Sequence, residues 1–445
     1  MMVDPQLNAT KPGVLSTQGY RGTRDFYPAD QRLRKWIYEK IASVMGRFGY
    51  EEYAGPLLEP LELYASKSSE EIVQEQLYWL EDKGNRKLGI RPEMTPTLAR
   101  MVAARHPELP RPIRWYSIPT CMRYENPQRG RLREFDQLNV DIFGGVPLDE
   151  DIEIILTAVE LMRALGAKIS DFEVRINHRG LINDFLYKVL GISESNKAPM
   201  LRLLDKQDKL TPEEFNKGCL ELHLTENQIS QLTGFMASDL DKAREFLGEH
   251  TENYESFKAR FDTLNALLPR GCVVFSPSIM RGFDYYTGFI LEVFDTDPKN
   301  RRALFGGGRY DNLVGSFGVD ALSGIGYGVS DVSLINFLEV HDLTPKLSKG
   351  TDVAVLRFSE KDRLQALQLA QILREAGLNV EAPVGIGKFG KQIQSAERSG
   401  AVAVAFLGED EIKNGTFAVK FLKTGEQITL PCNAEGAQIL IEKSV

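Results

Sequence analysis

From Arg131 to Ile142 the chain alternates with a period of two. Arg131, Arg133, Phe135, Gln137, Asn139 and Asp141 fall on one face, and Leu132, Leu138, Val140 and Ile142 on the other. Only a strand keeps two such sets apart; the helical period would mix them. The residues from Pro119 give a second β-run, and the polar stretch 126–130 reads as the turn between the two arms. Between Arg111 and Phe135 there are six arginines (111, 114, 123, 129, 131, 133) and two acids (Glu125, Glu134), a net +4 within a chain of formal charge −8. A solvated charge run would mix lysine with glutamate. Arginine alone offers the planar fork that matches phosphate or carboxylate. A strand face carrying Arg, Gln and Asp in a row suits a floor that grips a charged ligand.

At 445 residues the chain is long enough for two or three domains. The acidic balance argues against non-specific coating of nucleic acid, so no DNA partner is expected, but it leaves room for a local site. Cys121, Cys219, Cys272 and Cys432 are scattered and form no CxxC pair, which points to neither a disulfide framework nor zinc. His223 and His250 fit no metal spacing, and no metal site is expected. Without a basic-then-apolar leader or a bilayer-length apolar run, the expectation is a reduced, cytoplasmic protein with no membrane partner.

Taken in order, residues 1–19 read as a flexible tail and 22–28 as a loop. A helix follows on the spacing of Leu33, Ile37, Ile41, Val44, Met45 and Phe48. The segment 53–60 is extended, and Pro56 suits a sheet edge or interface as well as a plain turn. Leu88 to Thr95 reads as a strand, with a helix from Thr97 to Ala104 begun by Pro96. Arg91, Glu93 and Thr95 share a face. Thr95 could simply cap the helix, whereas a carboxylate at Glu93 needs a cationic partner. A helix over 152–165 and a strand over 172–177 precede a polar, helical insertion at about 190–268. Strands return at 272–275 and 280–294, a glycine-rich turn is expected at 305–311, and Ser323 to Val332 alternates glycine with apolar residues. Glycine at every second position strips one face of side chains, which suits a flat ring lying there. A GxGxxG dinucleotide loop competes, but the spacing is GxGxG and no βαβ unit precedes it. The first domain is drawn at 20–345, a linker at 346–351, and a small domain of βαβ crossovers at 352–445.

The stretches RPEMTPTLAR, MRYENPQRGRLREFDQLNVDIFG, RGFDYYTG and GGGRYDNLVG, in that order, resemble the histidyl-tRNA synthetases of class II, as does the C-terminal KQIQSAERSGAVAVAFLGEDEIKNGTFAVKFLKTGEQ. The resemblance runs from about Gly22 to the end. It implies an α+β fold: a class II synthetase-like antiparallel sheet core flanked by helices, a helical insertion, and a C-terminal α/β anticodon-binding-like domain. It also implies a homodimer, with Pro56 in the dimer-forming motif, and the substrates L-histidine, ATP with Mg²⁺, and tRNA(His). Carried onto this sequence, Arg123 and Arg281 would clamp the α-phosphate and Arg131 would meet the outer phosphates. Glu93, Thr95 and Gln137 would hold the α-amino group, and Asp141 and Tyr286, with Tyr285 adjacent, would read the imidazole. Gln128 and Arg129 would face the tRNA acceptor end. Read without the family, Arg281 could bridge to Asp284 or Glu292, and Tyr285 could be core.

Two departures stand out. Class II enzymes end the glycine-alternating segment with Glu-Arg, and here the pair is Ser330-Asp331. Either ATP is held in another way or the activation chemistry is lost. Asn126 stands where bacterial relatives carry arginine, which bears on recognition of the extra 5′ guanosine of tRNA(His). The rival reading is a synthetase-like paralogue without catalysis, a histidine-sensing regulatory subunit of ATP phosphoribosyltransferase or a tRNA-binding protein. Such regulators generally lack the anticodon-binding domain and erode the motif arginines, whereas this chain keeps both.

Overall fold

The alternating strand lies third from one edge of a nine-stranded sheet, and most of the first unit is arranged around it. In this computed structural model residues 15–67, 75–205, 207, 210–279, 286–300, 302–385 and 388–444 are described. The chain divides into two compact units, one centred on Arg34–Thr344 and the other on Pro345–Val445.

In the first unit the sheet runs Glu51–Glu52, Ile113–Ser117, Glu134–Phe143, Gly324–Ser330, Ala303–Arg309, Phe289–Asp295, Phe172–His178, Val273–Phe275, with Thr120–Met122 also paired to Glu134–Phe143. The pairings are antiparallel except at the two ends, where Glu51–Glu52 and Val273–Phe275 add in parallel. Beneath the floor strand Glu134–Phe143, Leu138, Val140 and Ile142 are fully buried, each worth about 1.5–3 kcal/mol of burial. The helix Pro147–Ala164 packs on this sheet through a buried stripe that includes Ile154, Ile155, Ala158, Val159 and Met162.

Two expectations change here. The strand begins at Glu134, so Arg131 and Arg133 lie outside it. Arg131 closes the turn through a bridge with Gln128. The backbone at 133–134 instead donates to the Gly22 carbonyl, at 2.8 and 3.1 Å. Arg133 is buried, its guanidinium 4.2 Å from the Tyr124 ring and bonded to the Tyr20 hydroxyl at 2.7 Å. It straps the N-terminal segment to the hairpin and presents nothing to a ligand floor. The glycine-rich stretch at 305–308 is likewise no turn but the middle of the strand Ala303–Arg309. A β-carbon at Gly308 would sit 3.0 Å from the Phe289 carbonyl and 3.1 Å from the Tyr286 ring, and one at Gly307 would collide with the Gly326 carbonyl. Glycine is depleted from strands in general, which is why the run reads as a turn. Here close approach of backbone and rings on both sides excludes any side chain.

Between Leu190 and Leu268 the chain forms helices at Lys197–Asp205, Pro212–Glu221, Glu226–Met236, Leu240–Leu247 and Glu252–Leu267. Thr211 and Thr225 start two of them with capping boxes. The last is tied to the helix Pro147–Ala164 by Arg260, which donates to Asp151 at 2.6 Å. Asp151 also accepts from Arg309 at 2.7 Å, so one buried carboxylate joins insertion, helix and sheet.

The second unit is a five-stranded sheet in the order Val380–Glu381, Val353–Leu356, Ala403–Phe406, Thr416–Phe421, Gln427–Pro431. Its first two pairings are parallel and its last two antiparallel. The helix Arg363–Glu375 covers one face with Ala366, Leu369, Ala370 and Leu373, packed on Val353, Val355 and Phe417. The whole is α+β, with an antiparallel-rich main sheet and a separate C-terminal sheet. Among the described residues no helix is long and apolar enough to cross a membrane.

Candidate active site

Strand parity aims Gln137, Asn139 and Asp141 away from the core, and the neighbouring strand keeps that side open. Register pairs Gln137 with Ser330, Asn139 with Gly328 and Asp141 with Gly326. A β-carbon at Gly328 would lie 2.8 Å from the Gln137 amide nitrogen, so glycine there makes room for the floor's own polar groups. Two hollows that share part of their lining sit on this floor. A recess of about 150 Å³ is lined by Glu93, Thr95, Asn139, Tyr286 and Tyr310, and a larger cavity of about 680 Å³ by the arginine hairpin and the helix Asp331–Val340. Arg123, Gln137, Gly306 and Gly328 line both.

Behind the recess wall, Tyr310 donates its hydroxyl to one oxygen of the buried Asp141, whose other oxygen has no hydrogen-bond partner among the described residues. Burial pushes the Asp141 carboxyl up to about 7, against the pull of the Tyr310 bond. Tyr286 and Tyr310 stack 6.3 Å apart and wall the space. The Gln137 amide is oriented by donating to Asn139 at 2.7 Å. Glu93 is 1% exposed and shares the recess with Arg123. Thr95 does not cap: the helix Thr95–Ala104 has Met94 at its N-cap without a side-chain bond, and Thr95 lines the recess from the first turn. Arg91, on the expected shared face, spends its guanidinium on the carbonyls of Thr120 and Gly55, at 2.7 and 2.9 Å, and holds loops together.

The larger cavity is strongly cationic. Arg123, Arg129, Arg131, Lys299 and Arg302 line it against one carboxylate among the described residues, that of Glu125. Arg123 is fixed by donating to the Pro92 carbonyl at 2.8 Å and by lying 5.3 Å over the Phe135 ring. Arg131 is half exposed and 3.4 Å from Glu125. Gln128 and Arg129 stand in its wall, and Arg129 donates to Asn336 at 2.7 Å. Asp331 does not face the cavity's ligand space at all. Its side chain is 2% exposed, paired with Arg24 at 2.7 Å and accepting the Asp136 amide at 3.1 Å. Ser330 caps the following helix by accepting from the Ser333 amide at 3.1 Å. Arg281 and Tyr285 lie outside the described residues.

Tyr310, Asn139 and Asn336 were not singled out from the sequence. Asn139 was legible, since it belongs to the alternating polar face. Tyr310 follows the glycine strand and only folding shows that it turns back onto Asp141. A helix-borne Asn336 carries no local signal.

Residues 22–331 match the family model described as histidyl-tRNA synthetase, and 352–436 match the anticodon binding domain. The histidine–tRNA ligase of Leptospira biflexa is 42% identical over 94% of this chain and 96% of its own length. The chain belongs to the histidyl-tRNA synthetase family. The histidine–tRNA ligase of Haloarcula marismortui is 36% identical over 93% of this chain and 95% of its own. Among solved structures, the histidyl-tRNA synthetase from Nostoc sp. PCC 7120 superposes with a TM-score of 0.81 at 23% identity, covering 97% of this chain and all of that one. At that identity the likeness is one of fold alone. It is the fold implied by the four catalytic-domain stretches.

Proposed function

We infer that this chain is a histidine–tRNA ligase, which activates L-histidine with ATP and transfers it to tRNA(His). The observation that carries the reading on the structural side is the buried Asp141–Tyr310 pair, whose tyrosine lines a recess that shares Arg123 and Gln137 with a cation-lined cavity. An imidazole bonded by a carboxylate and a phenol is distinguished from isosteric rings, because an analogue lacking the N–H would leave those groups unpaired. Asp141 and Tyr286, with Tyr285, would read the ring. Glu93, Thr95 and Gln137 would take the α-ammonium, which places the amino acid's carboxylate towards Arg123.

In the first step a histidine carboxylate oxygen attacks the α-phosphorus, a P–O bond forms, and the bond to the bridging oxygen breaks with release of pyrophosphate. Two anions must meet, so fixed cations supply most of the stabilisation. Arg123 and Arg281 would clamp the α-phosphate, and Arg131 would hold the outer phosphates. Magnesium arrives on the nucleotide, and Glu125 is the one carboxylate among the described lining residues that could meet it. In the second step a terminal ribose hydroxyl of tRNA attacks the histidyl carbonyl, loses its proton, and AMP leaves. Gln128 and Arg129 in the turn would approach the acceptor end, and the unit from about 352 would bind the anticodon. A homodimer fits the exposed Leu57, Leu58, Trp79 and Leu80, and a cytoplasmic location goes with the activity.

The test is histidine-dependent ATP–pyrophosphate exchange by the purified protein, followed by charging of tRNA(His) with and without its extra 5′ guanosine. Exchange is expected with histidine alone among amino acids. Binding of tRNA without any exchange would overturn the enzyme reading in favour of the non-catalytic one. Arg281→Ala is expected to abolish exchange while the oligomeric state is unchanged, as measured by light scattering.

A further inference from the structure

Ser330-Asp331 supplies no cation at the start of this helix, where the family resemblance expects one, and Asp331 turns away to Arg24. On the same helix, five residues further on, Asn336 lines the cavity and accepts from Arg129 Nε at 2.7 Å. Asn336 is itself held: its amide nitrogen donates to Asn300 Oδ1 at 2.5 Å, and Asn300 donates to Asp295 Oδ2 at 2.6 Å. The other Asp295 oxygen bonds His341 Nε2 at 2.8 Å, and Asp295 and Asn300 are both buried. The chain of bonds therefore runs from the sheet interior out to a turn arginine. Each link fixes the amide orientation of the next. Arg129 uses Nε for its bond to Asn336, so the fork of terminal amino groups remains available to an anion in the cavity.

We propose that Asn336 is a positioning residue for nucleotide binding: it fixes Arg129 in the cavity wall, where Arg129 supplies the cation that Ser330-Asp331 does not. This rests on the ATP-binding reading of the cavity. Arg129 then serves activation, and its approach to the tRNA acceptor end requires release from Asn336. A flexible arginine on an exposed turn would pay for ordering with each binding event, and the asparagine chain prepays that cost.

The experiment titrates ATP with Mg²⁺ into the full-length protein by calorimetry and measures Michaelis constants for ATP and for histidine in pyrophosphate exchange. Arg129→Ala and Asn336→Ala are each expected to weaken ATP about tenfold, the loss of one charge-assisted contact. The constant for histidine should stay within about twofold, and the double variant should bind ATP no worse than Arg129→Ala. Losses that multiply in the double variant, or an unchanged ATP affinity in Arg129→Ala, overturn the proposal. Arg129 lies on an exposed turn, so its variant decides the matter even if Asn336→Ala fails to fold. A wild type that binds ATP yet exchanges no pyrophosphate counts against the enzyme reading. The positioning role is judged separately, on the ratio of ATP affinities.

Discussion

Ionising a fully buried carboxyl that is held by a hydrogen bond from Tyr310 is expensive, and Asp141 is such a group. Its folded value of about 7 lies above the ordinary 3.8, so the native state keeps the proton over that interval. The stability it contributes is complete below pH 4 and is lost as pH rises through 7. Asp141→Asn keeps an oxygen for the Tyr310 hydroxyl and never ionises. It is therefore expected to be more stable than wild type at pH 8, by about 1–4 kcal/mol, with little difference at pH 4, as read by denaturant unfolding at the two values. On the role proposed for Asp141 in reading the ring, the same variant should lose histidine-dependent exchange about 10–100-fold. An equal effect at both pH values would show that Asp141 is not the group titrating. Under the proposed role, stability is given up at this residue for recognition.

Elements rather than residues explain which parts of the site could be read in advance. The floor strand was legible because its faces alternate within ten residues, which put Gln137 and Asp141 on one polar face, while the roles proposed for them came from the family motifs. Thr95 and Tyr286 needed the family motifs as well, since neither lies on a strand that alternates. The fate of Asp331 was illegible, because its partner Arg24 is 307 residues away in sequence and no local pattern announces the pair. The buried cluster on the helix Pro147–Ala164 was equally silent. Arg309 comes from the glycine strand and Arg260 from the insertion, and both converge on Asp151. Burial outweighs the two guanidiniums there and holds the Asp151 carboxyl above its usual range. Asp151→Ala would leave the buried Arg260 without its carboxylate and take one of three from Arg309, and a loss of about 3–5 kcal/mol is expected in urea unfolding. A loss under 1 kcal/mol would mean that Glu150 and Asp311, the other partners of Arg309, carry the junction.

At the scale of the whole molecule, the small sheet of Leu58–Pro60, Trp79–Glu81 and Lys87–Ile90 leaves a large apolar surface uncovered, with Trp79 56% and Leu57 48% exposed. Paired with a second copy, that surface would be buried. Leu57→Arg combined with Trp79→Arg should halve the mass seen by sedimentation, whereas a wild type that is monomeric at micromolar concentration would remove the homodimer from the account. The order of strands has a further consequence, in time rather than space. Phe143 pairs with Gly324, so the arginine hairpin must wait 181 residues of synthesis for the strand that completes its floor. At about 5–20 residues per second that is roughly 10–40 s on the ribosome. During that interval the edge of the floor strand lacks its partner, and the arginine-rich turn beside it is open to any anion in the cell.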